Sequence, residues 1–174
     1  YYTNMDDPVE INMTQICERL DLPKATCSRA VQLLNALDLI DIRSEGTAKW
    51  ISLKQPLIST MSKAEAYLIN PVHKIVYLKE FSEEYNYKTG GIRALADKSM
   101  LAARDSDGSY VVSREEFRKI PASYFIDKQE FQDFGGAILE VWKYDPFLLS
   151  DDDYVDDISL VLSLRDDIDE RVQK

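Results

Sequence analysis

Apolar positions recur at two different periods along the first third of the chain, and the change of period predicts its elements. Ile16, Cys17 and Leu20 stand at i, i+1 and i+4, after an extended Ile11-Asn12-Met13 and after Thr14, whose hydroxyl can accept from free first-turn amides. A short helix capped by Thr14 is predicted. Asp21-Leu22-Pro23 interrupts it, and a proline fits the first turn of a following helix, where its missing amide costs nothing. From residue 23 or 24 to 37, Cys27, Ala30, Val31, Leu34 and Leu37 fall on one face of a 3.6-residue period, which predicts a longer helix packed through those five side chains. The period then becomes two. Leu39-Ile40-Asp41-Ile42-Arg43 and Ala48-Lys49-Trp50-Ile51-Ser52-Leu53 alternate in part, and the glycine-containing Ser44-Glu45-Gly46-Thr47 joins them as a hairpin.

Beyond the hairpin the pattern mixes both periods. Residues 59–70 read as a helix capped by Ser59 or Ser62, packed through Ala64, Tyr67 and Leu68, and ended by Pro71. Residues 73–80 are β-prone. Thr89-Gly90-Gly91 opens a helix over 92–103 with Leu95, Met100 and Leu101 apolar, and Asp105-Ser106-Asp107-Gly108 is a turn. Strands are predicted over 110–113 and 137–144, a helix over 156–164, and the start of another over 166–174. With no internal repeat and no low-complexity linker, the expected fold class is α+β. It divides into a helix-turn-helix with a wing over residues 1–58 and a small α+β domain over residues 59–174 for effector binding, dimerisation or partner binding.

The second helix carries the candidate chemistry. Lys24, Thr26, Ser28, Arg29 and Gln32 are short, polar or basic, and they lie off the apolar stripe. Such a face suits a recognition helix: small side chains near its start let the backbone enter a major groove, Arg and Gln reach base edges, and lysine, hydroxyls and amides hold phosphates. An ordinary amphipathic helix with a solvated face reads the same way taken alone. The hairpin directly behind it favours the recognition reading, because Arg43 and Lys49 then flank a wing placed to meet the DNA backbone or minor groove.

The run from Thr14-Gln15-Ile16-Cys17 through Pro23-Lys24-Ala25-Thr26-Cys27-Ser28-Arg29 to Leu37-Asp38-Leu39-Ile40 resembles the helix-turn-helix of MarR-type and related bacterial regulators. Pro23 stands where that pattern usually has Ser, Cys27 where it has Val, and Asp38 where it has Gly. The last departure falls where the chain often turns left-handed as the helix ends, which aspartate tolerates less well than glycine. The resemblance implies DNA binding, and a supporting helix ahead of the module of which Tyr1 and Tyr2 would be a remnant. A shorter motif, Gly90-Gly91 with Ala94-Leu95, then Val111-Val112-Ser113, then residues 155–160, resembles the C-terminal domain of AbiEi-type antitoxins. Those join a winged helix to an α+β domain and repress their own toxin–antitoxin operon.

Charge narrows the reading. The 174 residues carry a formal net charge of −10, which argues against a broadly basic nucleic-acid-binding surface. Residues 1–60 contribute −2 and the remainder −8, so a DNA surface must be local. Cys17 and Cys27 are too few for a disulfide framework or a zinc site; both fall at apolar helix positions, as buried free thiols or, alternatively, as a redox pair joining the helices. No apolar run approaches the roughly 18 residues needed to cross a bilayer.

Other chemistry is thin. Gly90-Gly91 followed by Asp105 and Asp107 echoes the spacing of metal-dependent nucleotidyl transfer, but Asp-Ser-Asp-Gly after Arg104 is turn sequence rather than a strand, and a helix opening plus a turn explains it better. The acidic run over 151–157 lacks the glycine and distal glutamate of a calcium loop and reads as a solvated cap for the next helix. His73 is the single histidine and has no evident partner. The aromatic segment holding Phe117, Tyr124, Phe125, Phe131 and Phe134 reads as core, with an effector pocket or subunit interface as the alternative. The expectation is therefore a cytoplasmic, non-enzymatic transcriptional repressor. It needs no catalytic residues, metal or cofactor, binds double-stranded DNA as a homodimer and makes no membrane contact. The rival expectation is a protein-interaction module whose winged helix is a scaffold and whose acidic domain holds a basic protein.

Overall fold

The computed structural model describes residues 10–99 and 109–166. The chain forms two compact units that divide between Leu68 and Ile69.

The first unit opens with β1 (Ile11–Asn12) and α1 (Met13–Arg19). Asn12 rather than Thr14 caps α1: its side chain accepts from the Thr14 amide at 2.8 Å, while Gln15 reaches back to the Asn12 amide at 3.2 Å. An Asn-x-x-Gln pair closing on itself satisfies two end donors at once, which a lone threonine cannot. α2 (Lys24–Ala36) follows, then β2 (Ile40–Glu45) and β3 (Ala48–Leu53), joined by Gly46-Thr47 with Gly46 at φ +60°. The turn is thus two residues long, and its strands pair from Ile40–Leu53 to Glu45–Ala48. β1 adds to β3, giving an antiparallel sheet in the order β1-β3-β2. A helix pair followed by this hairpin, with a short leading strand, is a winged helix.

Val31, Leu39, Ile40, Ile51 and Ala64 form the buried centre of this unit, packed by Ile11, Met13, Ile16, Leu37, Ile42 and Leu68. The α2 stripe is narrower than its periodicity predicts. Cys27 and Val31 are buried, whereas Ala30 and Leu34 are exposed, because the core covers a single row of the helix. α3 (Leu57–Ala64) starts behind Pro56 with no side-chain cap, so neither Ser59 nor Ser62 serves that role. A 3-10 turn (Glu65–Tyr67) continues it. Tyr67 is exposed, but Ala64 and Leu68 join the winged-helix core. Residues 59–68 therefore pack with the first unit, and the break falls ten residues after the expected boundary at 58.

The second unit is built on a five-stranded sheet of order β5-β6-β8-β4-β7. Its elements in chain order are β4 (Val72–Leu78), β5 (Lys88–Gly90), α4 (Gly91–Asp97), β6 (Ser109–Val112), α5 (Arg114–Phe117), a 3-10 turn (Ala122–Tyr124), β7 (Phe125–Ile126), α6 (Lys128–Phe134), β8 (Ala137–Trp142) and α7 (Asp157–Leu164). β6 and β8 run parallel; the other neighbours are antiparallel. Strand alternation separates two cores. Val112, Leu139, Val141 and Leu78 face Ile120 and the aromatic residues Phe81, Tyr110, Phe117 and Phe125. Val111 and Trp142 face Ala94, Val155, Leu160 and Leu164. α4 ends at Asp97, short of the predicted 103; Met100, Leu101, the turn over 105–108 and the helix start over 167–174 lie outside the described residues. β6 stops before Ser113 because that side chain caps α5, accepting from the Glu116 amide at 3.1 Å.

Candidate nucleic-acid interface

Both helices of the helix-turn-helix end in the same way. The Asp21 and Leu22 amides donate to Glu18 O and Cys17 O at 3.2 and 2.9 Å; the Asp38 and Leu39 amides donate to Asn35 O and Leu34 O at 3.0 and 3.1 Å. These are paired Schellman closures with an aspartate in the left-handed position, Asp21 at φ 47° and Asp38 at φ 59°. The first reverses the chain into α2, and the second directs it into β2. The Lys54 ammonium pairs with Asp38, joined by Lys63 at 3.9 Å, so the second closure is also tied to the sheet and to α3. The same ammonium holds the Asp38 carboxyl below its ordinary range.

α2 begins at Pro23, whose carbonyl accepts from Thr26 and Cys27 at 2.8 and 3.1 Å; no side chain caps the first turn. At roughly 100° per residue, Lys24, Ser28 and Gln32 form one row along the helix. Arg29 lies in the next row with Ala25 and Leu33, and Thr26 on the far flank. Lys24, Arg29 and Gln32 are exposed, while Thr26 and Ser28 are half-buried on either side of Cys27. The five candidate positions therefore do not share one edge: Lys24, Gln32 and Arg29 stand outermost. Arg29 Nε donates to Ala25 O at 3.3 Å, laying the side chain along the helix. Leu33, 60% exposed, occupies the same outer face, a position that reading the helix through its polar residues overlooks.

The wing divides its two basic residues. Ile42 and Ile51 face the core, and Lys49 shares their sheet face beyond the end of that core, by period-two alternation. Arg43, opposite Trp50, lies on the other face. Arg43 is also occupied: Nε and Nη2 donate to the two Glu10 oxygens at 3.1 and 2.6 Å, and Nη1 to Glu45 at 3.0 Å. By contrast, Lys24, Arg29 and Lys49 make no ion pair among the described residues, while Lys54 and Lys63, away from this surface, pair with Asp38 and, for Lys54, with Asp41. Glu45 was findable from the sequence as the next same-face residue of β2. Glu10 was not, because its approach depends on β1 pairing with β3.

The other candidate features resolve into structure. Cys17 and Cys27 are buried free thiols; the Cys17 thiol beside it and burial push the Cys27 thiol up, which disfavours the reactive thiolate. Gly90 is required by packing, since a Cβ there would meet Val111 Cγ2 at 2.5 Å, and Gly91 opens α4 at φ +64°. The carboxylates spaced with them, Asp105 and Asp107, lie outside the described residues. In the acidic run, Asp156 caps α7 through the Ser159 amide at 2.9 Å. The run is strapped down by Lys88, which donates to Asp152 O, and by Lys98, which donates to Val155 O and Asp157 at 3.1 and 2.6 Å. Phe117 packs on Phe125 in the core and half-buried Phe131 stacks on Tyr77 at 4.7 Å, while Phe134 is exposed. His73 is exposed. Among the described residues no group of His, Cys, Asp and Glu is arranged to hold a metal, and no helix is long and apolar enough to cross a membrane.

No curated protein and no solved structure matches the chain. Residues 1–49 match the model of the MarR family, so the N-terminal module, by its sequence as by its helix-turn-helix and hairpin, is similar to the winged helices of that family.

Proposed function

We propose that the first unit binds double-stranded DNA sequence-specifically, with α2 in the major groove. On this reading the chain is a transcriptional regulator that works as a homodimeric repressor in the cytoplasm. One observation carries the reading. The exposed cations at the outer face of α2 and on the wing, Lys24, Arg29 and Lys49, are without carboxylate partners among the described residues, as is Arg19 on α1, while Arg43, Lys54 and Lys63 are paired. Arg29 and Gln32 have the donors to read purine edges; Lys24, Thr26, Ser28 and Lys49 serve as phosphate and flank contacts, with Arg43 entering from the wing. The MarR match supports the reading, because that family's members bind DNA and generally act as dimers. A dimer doubles the half-sites that one short helix can read.

For the second unit, its acidity, net −8 over residues 69–174, favours a basic protein partner. Its antitoxin-like motif favours control of a toxin–antitoxin operon by the same chain. DNA selection on the purified chain tests the core of the proposal. A defined duplex motif should emerge, and Arg29→Ala should cost about 1–3 kcal/mol on it while relaxing one base position. With the unpaired Lys24 and Lys49 neutralising phosphates, log affinity should fall with log salt at a slope of about −2 per protomer. Failure to enrich any motif, with Arg29→Ala indistinguishable from the parent, would transfer the winged helix to the rival scaffold reading.

A further inference from the structure

The wing arginine differs from the other candidate DNA contacts in being fully engaged within the molecule. Glu10 takes its guanidinium in a two-point fork, Glu45 takes a third donor, and the cation lies 5.9 Å from the centre of the Trp50 ring. The architecture imposes this. β3 lies between β1 and β2, so Glu10, immediately ahead of β1, reaches Arg43 across the strand that carries Trp50. Glu45 sits two residues further along β2 on the same face. Three side chains thus hold Arg43 on the outer face of the wing.

We propose that Glu10 and Glu45 are positioning residues that keep Arg43 masked in the free protein, and that DNA phosphate must displace them for the wing to engage. The inference rests on the DNA-binding reading above and deepens it. Phosphate accepts the same guanidinium fork that a carboxylate does, so the exchange needs no new geometry. The side chains are 52%, 37% and 68% exposed for Arg43, Glu10 and Glu45, so water and salt screen the pairs and leave them weak enough to exchange. Charge gives the direction. With both carboxylates in place this cluster sums to −1 and repels a phosphate; with both neutralised it sums to +1 and attracts one. The wing therefore contributes little to indiscriminate binding and engages when α2 already holds its site.

The test is a binding titration of the full chain on its selected duplex at several salt concentrations. Glu10→Gln with Glu45→Gln should bind about tenfold tighter, with a salt slope steeper by about one. In an Arg43→Ala background the same pair of substitutions should gain much less, since the coupling runs through the arginine. Binding that is unchanged or weaker in the double variant overturns the proposal, as does a full gain in the absence of Arg43, which would reflect general charge alone. Thermal melts establish that the variants fold, and Glu45→Gln alone, at the exposed hairpin end, replaces the pair if they do not. Arg29→Ala on the same duplex separates the two levels. A response to Arg29→Ala but none to the glutamate substitutions removes only the masking, whereas no response to either removes the DNA reading as well.

Discussion

Asp21 and Asp38 are the two non-glycine residues with positive φ among the described residues, and each closes a helix of the helix-turn-helix. A left-handed aspartate is tolerated because its short polar side chain meets local partners, at more cost than glycine. The two differ in what they return. Asp38 pairs with Lys54 and Lys63, whereas Asp21 has no side-chain hydrogen bond or ion pair among the described residues. Asp21→Gly is therefore expected to stabilise the first unit by about 0.5–1 kcal/mol, measured by urea unfolding. Asp38→Gly should give less, because it also removes the ties to β3 and α3. Equal gains at both sites would mean that the Asp38 ion pairs contribute nothing. The sequence exposed Asp38 through its departure from a glycine pattern. Asp21, masked by the neighbouring Pro23, read only as a helix breaker.

Among the elements, α1 shows how a cap is misread. Thr14 is a good capping type, but Asn12 with Gln15 three positions on makes the reciprocal box, and the helix starts two residues sooner. Asn12→Ala should cost about 1 kcal/mol of stability, while Thr14→Ala, exposed inside the first turn, should stay within about 0.5 kcal/mol; the reverse order in a denaturant series would restore Thr14 as the cap. The hairpin and α2 were legible because a period of 3.6 giving way to a period of two survives in any tertiary context. β5, α5, β7 and α6 were not, being two to seven residues long. Such segments are too short to express a period, and they form because a neighbouring strand or the aromatic core accepts them.

For the whole molecule, the carboxylates give a common pH response. Arg43 holds Glu10 below the usual carboxylate range, Lys54 does so for Asp38, Lys119 for Glu116, and the Ser150 hydroxyl with the Tyr154 amide for Asp152. A folded value below the unfolded one contributes stability that is present above the unfolded pKa and lost as pH falls through the folded one. Both units should therefore hold their urea midpoints through neutral pH and lose them progressively below about pH 4. Asp152→Asn and Glu116→Gln should flatten the acid limb of the second unit. A decline that begins near neutral pH would show that these carboxylates do not carry the acid response.

Taken by itself, the sequence determined the α+β class, the helix-turn-helix with its wing, and the residue types available to a DNA surface, because local periodicity and turn chemistry are written in consecutive residues. Only the tertiary structure decided which of those residues remain accessible as charges. Lys24, Arg29 and Lys49 keep theirs, Arg43 surrenders its own to Glu10 from 33 positions away, and Ala64 and Leu68 carry the first unit past its apparent end. Ion pairing and core membership depend on which strands lie side by side, and strand order is set by packing rather than by spacing along the chain.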